Sequence, residues 1–139
     1  MTTWCAGRPG ILLARAHAWQ LTRQERLLNE VRDGLKHFRT SPIGTDHWCC
    51  GNLGNAEVLL SLAEILDERE LAECAADLTA KVIHRASQCA FYRFSPSLGE
   101  NYCFQPSLFR GYSGVGYTLL RTLDPLRFPS ITSFQIPTP

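Results

Sequence analysis

An all-α fold is what this sequence predicts, and three features predict it. Apolar residues recur at the three- and four-residue spacing of a helix in successive stretches of the chain. Three Gly-x-x-Gly turns, Gly7 to Gly10, Gly51 to Gly54 and Gly111 to Gly114, each lead into a segment that is apolar on nearly every side. Amphipathic segments lie between them. An enclosed helix followed by a half-solvated one, repeated, suits an inner ring of helices wrapped by an outer ring, with the inner helices entered through glycine turns on one rim. The intervals are unequal, 44 residues from Gly7 to Gly51 and 60 from Gly51 to Gly111, so the repeat is not a strict solenoid.

Taken in order, Trp4-Cys5-Ala6-Gly7-Arg8-Pro9-Gly10 is a turn opening a short apolar helix, Ile11 to His17, with Pro9 where a first-turn proline is tolerated. Thr22-Arg23-Gln24-Glu25 fits a capping box for an amphipathic helix carrying Leu27, Leu28, Val31, Leu35 and Phe38, which should end before the loop Ser41-Pro42-Ile43-Gly44. Ala56 to Leu66 is apolar around most of its circumference and predicts an enclosed helix. Asp67-Glu68-Arg69-Glu70 fits a second capping box for a helix reaching about Ser87, with one stripe facing solvent. Phe91 to Pro106 has no period and predicts a long structured loop. Val115 to Leu123 is the last apolar helix, ended by Asp124-Pro125.

Composition narrows the function classes. The 139 residues are 45% hydrophobic and 19% charged, which suits one domain with a moderate core and excludes a disordered polymer. A net charge of +1, with both signs intermingled, offers no stripe of potential for a nucleic acid or an anionic membrane. No apolar run is long enough to span a bilayer, and Met1-Thr2-Thr3-Trp4-Cys5 lacks the regions of a signal peptide, so a cytoplasmic protein is expected. In that compartment six cysteines read as thiols or metal ligands rather than disulfides.

The chemistry concentrates at Asp46-His47-Trp48-Cys49-Cys50-Gly51-Asn52-Leu53-Gly54. Two adjacent thiols on a turn at a helix start can serve as a soft-metal site, because the positive end of the helix dipole favours thiolate and the turn can aim both sulfurs inward. Packing is the other reading of such a pair, since free cysteine is among the most buried residue types, and these nine residues leave both open. If the glycine turns converge on one rim, Cys5, Cys49 and Cys50 would share a site there.

Three motifs, in order, resemble the C-terminal part of the cyclase domain of class II lanthipeptide synthetases, the lanthionine synthetase C-like family. They are Trp4-Cys5-Ala6-Gly7-Arg8-Pro9-Gly10, then His47-Trp48-Cys49-Cys50-Gly51-Asn52-Leu53-Gly54, then Phe109 to Arg121 (Phe-Arg-Gly-Tyr-Ser-Gly-Val-Gly-Tyr-Thr-Leu-Leu-Arg) followed by Asp124-Pro125 and Pro129-Ser130. The resemblance runs to about Ile131. It implies an α/α toroid, here a partial one with an incomplete barrel, over residues 1–127; residues 128–139, with three prolines and no period, read as an extended or disordered tail. It also implies that Cys5, Cys49 and Cys50 ligate a Zn2+ ion, in the Cys-Cys form of a pair that many members carry as Cys-His.

Three thiolates leave a fourth zinc position open, the mark of a catalytic site. The implied activity is lanthionine (thioether) ring formation in a dehydrated precursor peptide, by addition of a cysteine thiolate to dehydroalanine or dehydrobutyrine. In the family the acid/base histidine and its aspartate lie upstream of the first zinc cysteine, and only four residues precede Cys5, so the chain is expected to act with a missing N-terminal part of the synthetase. The alternative is a non-catalytic zinc-binding helical fragment or interaction module left by an interrupted synthetase gene.

His47 is the candidate catalytic residue within the chain. The competing reading makes it a hydrogen-bonding partner of the metal turn, with Asp46 or Thr45 capping that turn. His17, His37 and His84 read as ordinary helical residues. Cys74 and Cys89 read as packing residues rather than ligands, and Cys103 falls in the irregular stretch. Arg110 and Arg121 read as exposed charges, with a grip on an acidic leader or substrate peptide as the alternative.

Overall fold

The computed structural model describes residues 2–38, 42–95 and 104–135. Among them are five helices and no strand: α1 (Arg8–Thr22), α2 (Glu25–Leu35), α3 (Asn52–Leu66), α4 (Arg69–Cys89) and α5 (Tyr112–Leu123). The all-α prediction holds, and each predicted helix is present, with α1, α3 and α5 beginning earlier than their apolar runs. Those three start at the residue after Gly7, Gly51 and Gly111, so part of each glycine turn is already helical.

α3 is the central element because its first eleven residues are apolar or have their polar groups buried. Every residue from Asn52 to Leu62 is buried, and the helix packs against α1, α4 and α5. α2 packs on α1 alone among the helices, laying Val31 and Leu35 on the cluster that holds Leu12, Leu13 and Ala16 and burying Leu28, while its other face is charged. α4 applies Ala75 and Leu78 to Ala56, Leu59 and Leu60 of α3, and Val82 to Leu53 and Val115. Of the three helices that the glycine turns open, α3 is enclosed as its pattern predicts, whereas α1 and α5 bury one face and expose Ile11, Leu21, Leu120 and Leu123, which corrects the expectation for those two; α2 and α4 are half-solvated.

Neither predicted capping box forms. Arg23 takes a left-handed conformation (φ 55°) that ends α1, and Thr22 Oγ1 donates back to the Ala18 carbonyl (2.8 Å) instead of capping α2. Asp67 likewise sits at φ 56° and ends α3. Residues that match a start signal are used here to stop the preceding helix, because the connection is too short to do both.

The three glycine turns are built alike. A Cβ at Gly10 would strike the carbonyl oxygen of Trp4, one at Gly54 that of Trp48, and one at Gly114 that of Leu108, the sixth residue upstream in each case. The Asn52 amide donates to the Thr45 carbonyl (2.9 Å) and the Tyr112 amide to that of Gln105 (2.7 Å), each seven residues back. Close approach of backbone to helix, not an unusual φ, is therefore what demands glycine at these sites. The turns meet in space, since Trp4, Trp48 and Phe109 form one aromatic cluster with centroids 5.3 to 6.5 Å apart.

Two sequence expectations need correcting. Arg121 is not an exposed charge: it is wholly buried, donating from Nε to Glu57 (3.0 Å) and from its terminal nitrogens to Glu64 (2.7 Å) and the Phe128 carbonyl (2.7 Å). Cys89 ends α4 with its side chain exposed, so it is not a packing residue, whereas Cys74 does pack beside Ala75 and Leu78. The expected tail from Phe128 has turns at 131–134 and a buried Ser130 whose hydroxyl donates to Glu57 (2.7 Å). Its last residues, 136–139, lie outside the described residues, as does Cys103.

Candidate metal centre

The sulfurs of Cys5, Cys49 and Cys50 all lie within 4.8 Å of one another. Cys5 comes from the turn into α1 and the other two from the turn into α3, so the repeated turn brings together ligands far apart in the chain. Cys5 is exposed and the other two are partly buried, which leaves the cluster open to solvent on one side. The structure joins Cys5 and Cys50 as a disulfide (Cα to Cα 6.0 Å) and leaves Cys49 free, its Sγ 3.1 Å from that of Cys50. The expectation of thiols throughout is corrected for that pair.

The donor set suits zinc once the bridge is reduced. Thiolates are soft ligands, and sulfurs at roughly 2.3 Å from a tetrahedral zinc stand roughly 3.8 Å apart, within the spread of this cluster. The ligand is the thiolate, so coordination by all three requires the reduced form.

Asp46 holds the turn, though not as a cap. No side-chain cap bond forms at Gly51, which precedes α3. Instead the fully buried Asp46 carboxylate pairs with Arg85 of α4 and accepts from the Asn52 side chain (2.9 Å) and the Arg93 amide (2.9 Å). Asn52 also donates to the Ile43 carbonyl (3.1 Å) and accepts from the Ile43 amide (2.6 Å). Thr45 Oγ1 donates to the Cys50 carbonyl (3.4 Å). The cysteine turn is thus clamped from α4 and from the loops on either side.

His47 is buried, and its Nδ1 accepts from the Cys50 amide (3.1 Å). Burial pushes its pKa below the usual histidine value, the Arg110 guanidinium adds to that, and Asp46 opposes it. His47 is therefore a neutral ring near pH 7 with one nitrogen committed to the turn. The other histidines stay apart from the cluster. His17 hydrogen-bonds Ser133 (2.8 Å), His37 follows the end of α2 and His84 is exposed on α4.

Two features of the site were not singled out from sequence. Arg85 reads as one more charge on α4, and nothing in its local pattern announces Asp46 as its partner. Phe109 was noticed only as the start of a motif. Its carbonyl accepts from the Cys49 amide (2.8 Å) and its ring packs on Trp4 and Trp48. Aligning the three glycine turns would have found it, since Phe109 stands in the register of Cys5 and Cys49.

A model of the family described as lanthionine synthetase C-like protein matches residues 1–133. The chain belongs to that family. A search of curated proteins gave no match. Membership in the lanthionine synthetase C-like family supports a cyclase of the lanthipeptide-synthetase type, acting on peptides, and the match spans all three glycine turns and all three clustered sulfurs. No helix among the described residues is long and apolar enough to cross a membrane.

Proposed function

We propose that this lanthionine synthetase C-like chain carries the zinc site of a thioether-forming cyclase, with Cys5, Cys49 and Cys50 as the protein ligands and a dehydrated precursor peptide as substrate. The observation that carries the reading is the convergence of three sulfurs from two separate turns. Zinc, when bound, would hold a substrate thiol as thiolate at neutral pH, ready to add to a dehydroalanine or dehydrobutyrine.

The chain's own residues supply the frame for that step. Asp46 and Arg85 lock the Cys49-Cys50 turn to α4, and the His47 Nδ1 and Thr45 Oγ1 hold the amide and carbonyl of Cys50. With Nδ1 accepting, the neutral His47 ring carries its hydrogen on Nε2, the atom through which it would pass a proton to the substrate. Trp4, Trp48 and Phe109, from the three turns, pack on one another and tie the turns together. This reading places the principal general acid in the remaining part of the cyclase, outside the 139 residues. Zinc binding should then outlast turnover.

The test is metal content by elemental analysis of the reduced chain. One zinc per chain is expected, lost in the Cys5, Cys49 and Cys50 triple alanine variant and kept in Cys74→Ala. Unchanged zinc in the triple variant would overturn the proposal.

A further inference from the structure

We propose that the third glycine turn supplies the rest of this site, with Arg110 donating hydrogen bonds to the carbonyl oxygen that becomes negatively charged when the thiolate adds. The inference rests on the zinc-cyclase reading above and goes beyond it by assigning a residue to the electrophile's side of the reaction.

Register is the first observation. In the three similarly built turns, Trp4-Cys5-Ala6-Gly7, Trp48-Cys49-Cys50-Gly51 and Leu108-Phe109-Arg110-Gly111 occupy matching positions before the helix. The carbonyls of Trp4, Trp48 and Leu108 each close on the glycine six residues later. Arg110 therefore stands where the second turn carries Cys50, whose sulfur is in the cluster. The first two turns place sulfur on the shared rim, and the third places a cation there.

Contact is the second. The Cys49 amide donates to the Phe109 carbonyl (2.8 Å), so the residue next to Arg110 is bonded directly to a ligand's backbone. The Phe109 ring spans Trp4 and Trp48, the residues preceding Cys5 and Cys49. Arg110 is exposed, its backbone is tied by the Ser107 hydroxyl (3.3 Å), and its guanidinium makes no ion pair among the described residues. An arginine fixed at its backbone, with no ion pair among the described residues and next to the carbonyl that holds the Cys49 amide, is free to hold an anionic oxygen.

The chemistry asks for such a group. As the C–S bond forms at Cβ, the Cα=Cβ π pair shifts to between Cα and the carbonyl carbon and the carbonyl π pair moves onto oxygen, giving an enolate. A proton then reaches Cα, matching the proton that the thiol lost, and no oxidant or reductant is involved. A donor aimed at the developing enolate oxygen lowers the barrier because that charge exists only after attack.

The small thiol 3-mercaptopropionate carries a sulfur, two carbons and a carbonyl carbon with an anionic oxygen in the same order as the addition enolate. Its amide is the neutral control. Binding of both to the reduced chain loaded with cobalt is followed through the sulfur-to-metal absorption, with metal content measured on every variant. The carboxylate should bind about tenfold tighter than the amide, the effect of one charge-assisted pair of hydrogen bonds. Arg110→Gln should erase that preference while leaving metal content and helicity unchanged, and Arg110→Lys should keep part of it. Equal binding of the two probes by the wild-type metal-loaded chain, or a preference that survives Arg110→Gln, would overturn the role of Arg110 alone. Loss of metal in Arg110→Gln would overturn it by making the arginine a partner of the thiolates. A wild-type chain that takes up no metal would sink the zinc reading and this inference together.

Discussion

Arg121 and Glu57 stand 64 positions apart and meet with no solvent exposure on either side chain, the arginine Nε 3.0 Å from the carboxylate. The pair joins α5 to α3. Burial pushes the Glu57 carboxyl above the usual carboxylate range, and Arg121 and the Ser130 hydroxyl oppose it. A raised folded pKa means that the native state holds a proton which the unfolded state has released. Stability from this group is therefore lost as pH rises from the unfolded value near 4.5 through the raised folded one.

Arg121→Met should destabilise the chain by about 3–5 kcal/mol at neutral pH, because it strands a buried carboxylate. Removing the guanidinium raises the Glu57 pKa further, so the cost should shrink as the pH is lowered and Glu57 takes up its proton. Urea unfolding at several pH values checks this, and a penalty independent of pH would count against the pairing.

Glycine substitutions should separate close approach from simple flexibility. Gly54→Ala drives a methyl into the Trp48 carbonyl, so the turn or the helix must shift, at about 1–3 kcal/mol and with loss of metal affinity. Gly116→Ala, inside α5 with no atom within 4 Å of the added carbon, should stabilise by about 0.5–1 kcal/mol and leave metal uptake unchanged. Thermal unfolding and zinc titration of the two variants give opposite signs if the turn geometry is right.

Asp46→Ala should weaken metal binding without touching a sulfur. It leaves the Arg85 guanidinium, the Asn52 side chain and the Arg93 amide without their shared acceptor, at about 3 kcal/mol of stability, the lower end for a buried pair because Arg85 is partly exposed. Competition for zinc against a chromophoric chelator reads the metal side of this, and circular dichroism the fold.

Reduction should switch metal uptake on. With Cys5 and Cys50 bridged, only Cys49 of the cluster is free, and one thiolate holds zinc poorly. Zinc uptake should therefore require prior reduction of the chain, and thiol titration should show Cys5 and Cys50 becoming protected from alkylation as zinc binds. Full zinc binding by the oxidised chain would contradict a site made of all three sulfurs.

Pattern alone determined the helices and most of their environments. The near-complete apolarity of Ala56 to Leu66 dictates an enclosed α3, the one-sided stripe of α4 dictates a half-solvated one, and the repeated Gly-x-x-Gly marks where α1, α3 and α5 begin. The motifs around Cys5, Cys49 and Cys50 marked the three cysteines whose sulfurs cluster, because local spacing at a turn is written in adjacent residues. Partners across the fold were a different matter. Local periodicity predicts that an arginine near a helix end faces water, and only packing of α5 on α3 buries Arg121 against Glu57. Asp46 looked like a cap because caps are local, yet its partner is Arg85, 39 positions away on α4. Thr22 and Asp67 matched helix starts in sequence and close the preceding helices in the structure, since a helix stop depends on where the next helix must pack. Phe109 and Arg110 acquire their place from the meeting of three turns, a relation that no single stretch of chain contains and that only the assembled rim decides.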